Sequence, residues 1–164
     1  MDMGEGRVSV LARRAGHPQP AEPPGYALDF SAGHMLRRAH QRYQAVFQEC
    51  AAGLGLTGPQ FAALLRIAER GRVTQNLLGR LAAMDSATVQ GVVRRLEARG
   101  FVQGQSDPLD RRTRVITITD HGAGVLSAAQ EAGRRANERL LGPLSAAERR
   151  QLLALLQRLA GNGG

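Results

Sequence analysis

Between residues 26 and 159 the apolar positions fall mostly at three- and four-residue steps, the period of a helix with one buried face. Over 26–52, Leu36, Ala39, Tyr43, Val46, Phe47 and Cys50 form the first such face, and Gly53 and Gly55 stop it. A second helix starts at Thr57, with Pro59 in its first turn and Gln60 placed to close a capping box. Its buried stripe is Phe61, Leu64, Leu65 and Ala68, and Gly71 ends it. Thr74 caps a short third helix that reaches about Ala83, with Leu77, Leu78 and Leu81 inward. Asp85 or Ser86 caps a fourth, whose Val89, Val92, Val93 and Leu96 are spaced for burial and whose stop is Gly100.

The period then drops to two. Residues 101–106 and 113–119 read as strands, the second being β-branched throughout from Val115 to Thr119. The turn-rich stretch 107–112 joins them into a hairpin with a charged tip. Thr119 or Asp120 opens a long helix to about Leu141, weakened by Gly122, Gly124 and Gly133 and broken at Gly142 and Pro143. Ser145 and Glu148 form a second capping box before a leucine-rich last helix. Ahead of all this, 1–25 holds Pro18, Pro20, Pro23 and Pro24, four of the seven prolines, and reads as a mobile arm in which a short helix over 8–14 has room to form. The predicted fold is mainly α with a small β-hairpin: a winged helix-turn-helix lobe over 57–119, preceded by a first helix over 26–56 and followed by C-terminal helices over 120–164.

Composition narrows the functional classes. At 164 residues and 43% apolar content the chain is long enough and apolar enough for one globular domain. It has no run of about 18 apolar residues, so no membrane span is expected, and the apolar stretch at 8–12 is too short for a secretory signal. A single cysteine builds neither an intramolecular disulfide nor a thiolate zinc site, which points to a cytoplasmic setting. There is no nucleophile elbow, phosphate loop or zinc-protease motif. His17, His34, His40 and His121 are scattered, and His34 and His40, six apart, do not share a helix face. His121 reads as a local contact in a first helical turn. No enzyme activity, cofactor or metal is expected.

The net charge is +8, and every one of the 22 basic residues is arginine. Residues 57–119 carry net +5 while 1–25 carry none. A localised excess of this kind points to an anionic partner, with nucleic acid first and a membrane surface second. The helix over 85–99 begins with the short side chains Ser86, Ala87 and Thr88, followed by Gln90, and its arginines Arg94, Arg95 and Arg99 come later. A helix entering a major groove meets base edges with its N-terminal residues, where short groups permit close approach. Gln90 can pair with adenine, Thr88 can bond either way, and Ala87 can meet a thymine methyl. At the hairpin tip, Asp110, Arg111, Arg112 and Arg114 cluster where arginine suits a narrow minor groove, and Asp110 is placed to hold one arginine as a bidentate pair. Taken singly, the helix also reads as an ordinary amphipathic one and the tip as a solvated turn.

Four motifs in this order resemble the MarR family of transcriptional regulators: LTGPQF at 56–61, MDSATVQGVVRRLEARG at 84–100, DPLDRR at 107–112 and ITDHG at 118–122. LSAAERRQLLALL at 144–156 is similar to the family's last helix. The resemblance implies a homodimer built by the first and last two helices, two lobes on double-stranded DNA with a pseudo-palindromic operator, and Arg112, paired with Asp110, in the minor groove. It also implies release by a small anionic aromatic ligand. GHMLRRAHQRY at 33–43 resembles the family's acid-binding first helix, with Arg37 at the position that pairs with the carboxylate. On a helical wheel Arg37 and His40 flank the apolar face, so an acid could lie against Tyr43 or Phe47, while His34 projects away. The family often has histidine where Tyr43 stands. Arg37, Arg38 and Arg42 read equally well as a solvated face, and His40 as an interface residue. Cys50, at the far end of the helix with no cation beside it in sequence, reads as a buried thiol, with a redox-responsive regulator as the alternative. A winged-helix protein-interaction module without specific DNA contact is the other class left open.

Overall fold

The computed structural model describes residues 25–108, 110 and 112–161. The arm expected over 1–25 lies outside them except for Gly25. A 3₁₀ turn, Leu28–Phe30, precedes α1 (Ala32–Cys50), so the expected first helix begins after a break at Ser31, whose backbone is extended. Then come α2 (Gly58–Arg70), β1 (Val73–Thr74), α3 (Gln75–Leu81), α4 (Ser86–Ala98), β2 (Val102–Ser106), β3 (Arg114–Ile118), α5 (Asp120–Leu141) and α6 (Ala146–Leu159).

The helix starts follow local chemistry. The Thr57 hydroxyl accepts the Gln60 N–H while Gln60 Oε1 accepts the Thr57 N–H at 2.9 Å, and Ser145 with Glu148 does the same for α6. Thr74, Asp85 and Thr119 cap α3, α4 and α5 with their side chains. Gly71 and Gly100, at φ +71° and +68°, end α2 and α4 in the left-handed region.

The sheet has three antiparallel strands in the order β1-β3-β2, where the sequence suggests only a hairpin. The extra strand is two residues long and is held by pairing of Val73 with Ile116 and Thr74 with Val115. The turn between α3 and α4 contains Ala83 at φ +52°, the one non-glycine in the left-handed region among the described residues.

Two buried clusters make the core. The larger gathers Leu56, Leu64, Ile67, Leu78, Val89, Val93, Leu96, Phe101 and Ile116 under the winged lobe. The smaller sits where α1 lies along α5 and holds Phe47, Ala51, Ala132 and Ala136. Leu54 and Phe61 pack against both. α6 buries no residue, and its Leu153, Leu155 and Leu159 are exposed, as are Tyr26, Leu28, Phe30, Met35 and Leu36 at the other end of the described chain.

Candidate nucleic-acid interface

Val89, Val92, Val93 and Leu96 turn one face of α4 into the core, which leaves the opposite face outward. Ser86, Ala87, Thr88, Gln90, Arg94 and Arg95 are all exposed there. Asp85 fixes the start of this helix. One carboxylate oxygen accepts the Thr88 N–H at 2.8 Å and the other accepts the Thr88 hydroxyl at 2.9 Å. These two bonds, the backbone one first, hold the Asp85 carboxyl below its ordinary pKa. The Thr88 hydroxyl, expected to be able to bond a base either way, donates to Asp85 in this structure.

The wing is organised by the Asp110 carboxylate. It accepts the Arg112 N–H at 3.0 Å and the Thr113 hydroxyl at 2.8 Å, and the Asp110 carbonyl accepts the Thr113 N–H at 2.9 Å. The expected bidentate pair with an arginine is not what Asp110 makes among the described residues; it shapes the turn instead. The Arg112 side chain is exposed, and Arg111 lies outside the described residues. Arg114, expected to face DNA, reaches back 2.5 Å to Glu97 of α4. Its guanidinium crosses Gly104, where a Cβ would stand 2.6 Å from Arg114 Nη2. A second ion pair, Arg72 with Asp107 at 3.6 Å, links the β1 end of α2 to the base of the wing. Arg99 at the end of α4 donates to the Gly55 and Leu54 carbonyls and covers the Phe101 ring at 4.4 Å, which ties α4 to the loop after α1. Glu97, Arg72 and Arg99 thus set the pose of the interface. No local pattern marks them, since their partners lie 17 to 45 residues away in the chain or across the sheet.

The expected ligand residues sit on α1. Arg37 and His40 are exposed, and His40 Nε2 lies 3.1 Å from Gln44 Nε2. Tyr43 is half-buried, and burial pushes its phenol above the ordinary value. Phe47 is corrected as a ligand contact: it has no accessible surface and stacks on Phe61 at 5.2 Å. Tyr43, tilted 6.2 Å from Phe47, is the ring that remains available. His34 does not project freely; its side chain is 17% exposed and faces Asp29 at 3.8 Å. Cys50 does have a cation beside it, contrary to expectation. Arg139 Nη1 lies 3.5 Å from its sulfur, Arg135 donates to its carbonyl at 3.1 Å, and Arg139 also pairs with Glu49 at 2.5 Å. A recess of 370 Å³ is lined by Gly53, Leu54, Arg99, Phe101, His121 and Val125, and it includes none of the four expected ligand residues.

Among the described residues no three His, Cys, Asp or Glu side chains converge for a metal, and no helix is long and apolar enough to cross a membrane.

The family model of the MarR family matches residues 54–113, which covers the lobe from the loop before α2 to the tip of the wing. The transcriptional repressor NicR of Pseudomonas putida is 38% identical over 140 residues, 85% of this chain and 89% of that protein. A solved structure of a probable transcriptional regulator from Pseudomonas aeruginosa is 45% identical with a TM-score of 0.77, covering 81% of this chain and 99% of that one. The structure of Bordetella bronchiseptica BpsR, which concerns the regulation of its DNA binding by 6-hydroxynicotinic acid, is 32% identical with a TM-score of 0.78 over 84% of this chain and 98% of that one. With five capped helices and a wing in the order its motifs require, and with relatives matched along most of their length, the chain belongs to the MarR family of transcriptional regulators.

Proposed function

We propose that the protein is a cytoplasmic, homodimeric repressor that binds a pseudo-palindromic operator and leaves it when a small aromatic acid binds. The observation that carries the reading is the outward face of α4, where Ser86, Ala87, Thr88, Gln90 and Arg94 stand exposed on a helix whose other face is core. α4 lies in the major groove with its first two turns at the bases, and Arg112 on the wing enters the adjoining minor groove. The dimer forms through α6 and the segment before α1, whose exposed leucines and aromatics have no cover in the protomer. BpsR, regulated by a hydroxylated pyridine carboxylic acid, and NicR, a repressor, support the regulatory sense. On this chain Arg37 and Tyr43 stand six residues, about 120°, apart round α1 with His40 between them, so the acid lies across the edge of the helix past His40, its ring towards Tyr43 and its carboxylate towards Arg37.

A random double-stranded library selected with the full chain tests the DNA half. It is expected to yield two half-sites about one helical turn apart. Arg94, Arg95 and Arg112 make no ion pair among the described residues, so a dimer offers six such cations, and a log–log salt slope of about −5 or steeper follows. Arg112→Ala in both protomers should flatten that slope by about 2. An unchanged slope and affinity would remove the wing from the interface. For the ligand half, the complex is titrated with benzoate, hydroxycinnamate and nicotinate-type acids. Release by none of them, or equal release from Arg37→Ala, would overturn the ligand site.

A further inference from the structure

Resting on the placement of α4 in the groove, we infer that Asp85 is a specificity-determining residue of this regulator: it holds Thr88 as a pure hydrogen-bond acceptor, so that Thr88 selects adenine or cytosine on the strand it faces.

The inference follows from the donor and acceptor inventory of two side chains. A hydroxyl owns one proton and two lone pairs, and by itself can donate to guanine or thymine or accept from adenine or cytosine. An ionised carboxylate only accepts. Asp85 is exposed, and its carboxyl is held below the usual range by the Thr88 N–H and the Thr88 hydroxyl, so it is ionised at neutral pH. At 2.9 Å from Asp85 Oδ2, the Thr88 hydroxyl must therefore supply the proton of that bond. What Thr88 has left for a partner is lone pairs and a methyl group. In the major groove the donors are adenine N6 and cytosine N4, whereas guanine O6 and N7 and thymine O4 only accept. Thr88 can meet the accepting bases only by giving up a charge-assisted bond, which is among the stronger kinds. Thr88 is free to make the contact: it is exposed, it stands one turn before Gly91, and it flanks Ala87 and Gln90 on the face turned away from Val89, Val92 and Val93. Asp85 itself need not touch a base. It acts through Thr88, as a positioning residue whose second oxygen sets the direction of one proton.

The test compares base preferences, which a purely structural cap would not alter. Wild type, Thr88→Val and Asp85→Asn are each run as full-length protein against the same randomised double-stranded library. Asparagine caps helices as well as aspartate, so Asp85→Asn keeps the helix start. Its Oδ1 takes the Thr88 N–H, and its Nδ2 now donates to the Thr88 oxygen, which turns the hydroxyl proton outward. Wild type is expected to favour adenine or cytosine over guanine or thymine by about tenfold at one symmetric position in each half-site, the worth of one hydrogen bond. Thr88→Val should erase the preference at that position alone. Asp85→Asn should move it to guanine or thymine. If Thr88→Val shifts that position but Asp85→Asn selects the same base as wild type, the inference is overturned while the groove placement stands. If Thr88→Val changes no position, Thr88 does not read a base and the inference falls with it. If wild type enriches no sequence at all, the proposed DNA reading is what fails.

Discussion

Gly122 and Gly124 lie two residues apart in the first turns of α5, and the same substitution at each should move stability in opposite directions. On sequence both look like defects in a helix, worth about 0.5–1 kcal/mol each relative to alanine. In the structure Gly124 has nothing within 4 Å of where a Cβ would sit. A Cβ on Gly122 would overlap the Phe101 carbonyl oxygen, lie 2.8 Å from the Phe101 carbonyl carbon and 3.0 Å from Ile118 Cγ1. That carbonyl is not free to move. It accepts the Thr119 N–H at 3.1 Å, Thr119 Oγ1 in turn donates to the neighbouring Gly100 carbonyl at 2.7 Å, and the Gly122 N–H is capped by Thr119 at 3.0 Å. Overpacking a closed site of this kind costs about 1–3 kcal/mol, which outweighs the gain in helix propensity. Gly124→Ala should thus gain about 0.5–1 kcal/mol, and Gly122→Ala should lose about 1–2 kcal/mol net. At about 2–4 °C per kcal/mol for a chain of this size, the two variants should melt roughly 5–10 °C apart. Urea and thermal unfolding followed by circular dichroism, at one fixed protein concentration because a dimer's stability depends on it, would measure both. If Gly122→Ala proves as stable as Gly124→Ala, the close approach of α5 to Phe101 is not a feature of the folded protein.

Three further outcomes follow. Ala83 holds φ +52° in the exposed turn between α3 and α4; Ala83→Gly should raise the unfolding midpoint, as relief of about 1–2 kcal/mol of left-handed strain exceeds the entropy that glycine adds, and a lower midpoint would contradict it. The chain has two tyrosines and no tryptophan, and burial raises the Tyr43 phenol. The tyrosinate absorbance transition above the ordinary phenol range should vanish in Tyr43→Phe, and the stability that the neutral phenol allows should be lost as pH rises past about 10, its unfolded value. Leu159 is 72% exposed in the protomer; Leu159→Asp should leave the helical content unchanged while light scattering shows a weaker dimer, and an unaltered dimer would place the interface elsewhere.

The parts of the fold that are legible in sequence are those decided within a few residues. Thr57 with Gln60 and Ser145 with Glu148 are complete cap instructions, and Gly71 and Gly100 stop helices by themselves. The buried stripe of α4 needs only its own spacing. What escapes is decided by partners distant in the chain. β1 is two residues that exist as a strand only because β3 pairs with them. The helical wheel puts Phe47 on the apolar face beside which an acid could lie, but Phe61, fourteen residues on, stacks over it. Cys50 has no cation near it in sequence and one 89 residues away that reaches its sulfur. Arg112 and Arg114 look alike as letters, yet Glu97 takes the second. The turn at Ala83 carries no signal because alanine is not a turn residue, and the geometry there is imposed by the helices on either side.

The route from a ligand on α1 to the bases is short under the proposed mechanism. Tyr43 leans on Phe47, Phe47 stacks on Phe61, and Phe61 packs against both core clusters, the larger of which holds the buried face of α4. Displacing α1 against α2 therefore moves rigid rings rather than loops, and Arg135 and Arg139 fasten the end of α1 to α5, so the displacement is shared with that long helix. The energy required is modest. Turning a population of 99:1 in favour of DNA binding into 1:99 takes a ligand discrimination of about 10⁴ between the two states. A symmetric dimer has two sites, so each acid has to discriminate only about 100-fold, or about 2.7 kcal/mol. A single charge-assisted hydrogen bond contributes about 1.5–3 kcal/mol. One carboxylate contact to Arg37, made in the released state and lost in the DNA-bound one, is thus of the size needed to work the switch. The remainder of the ligand then serves to choose which acid is bound.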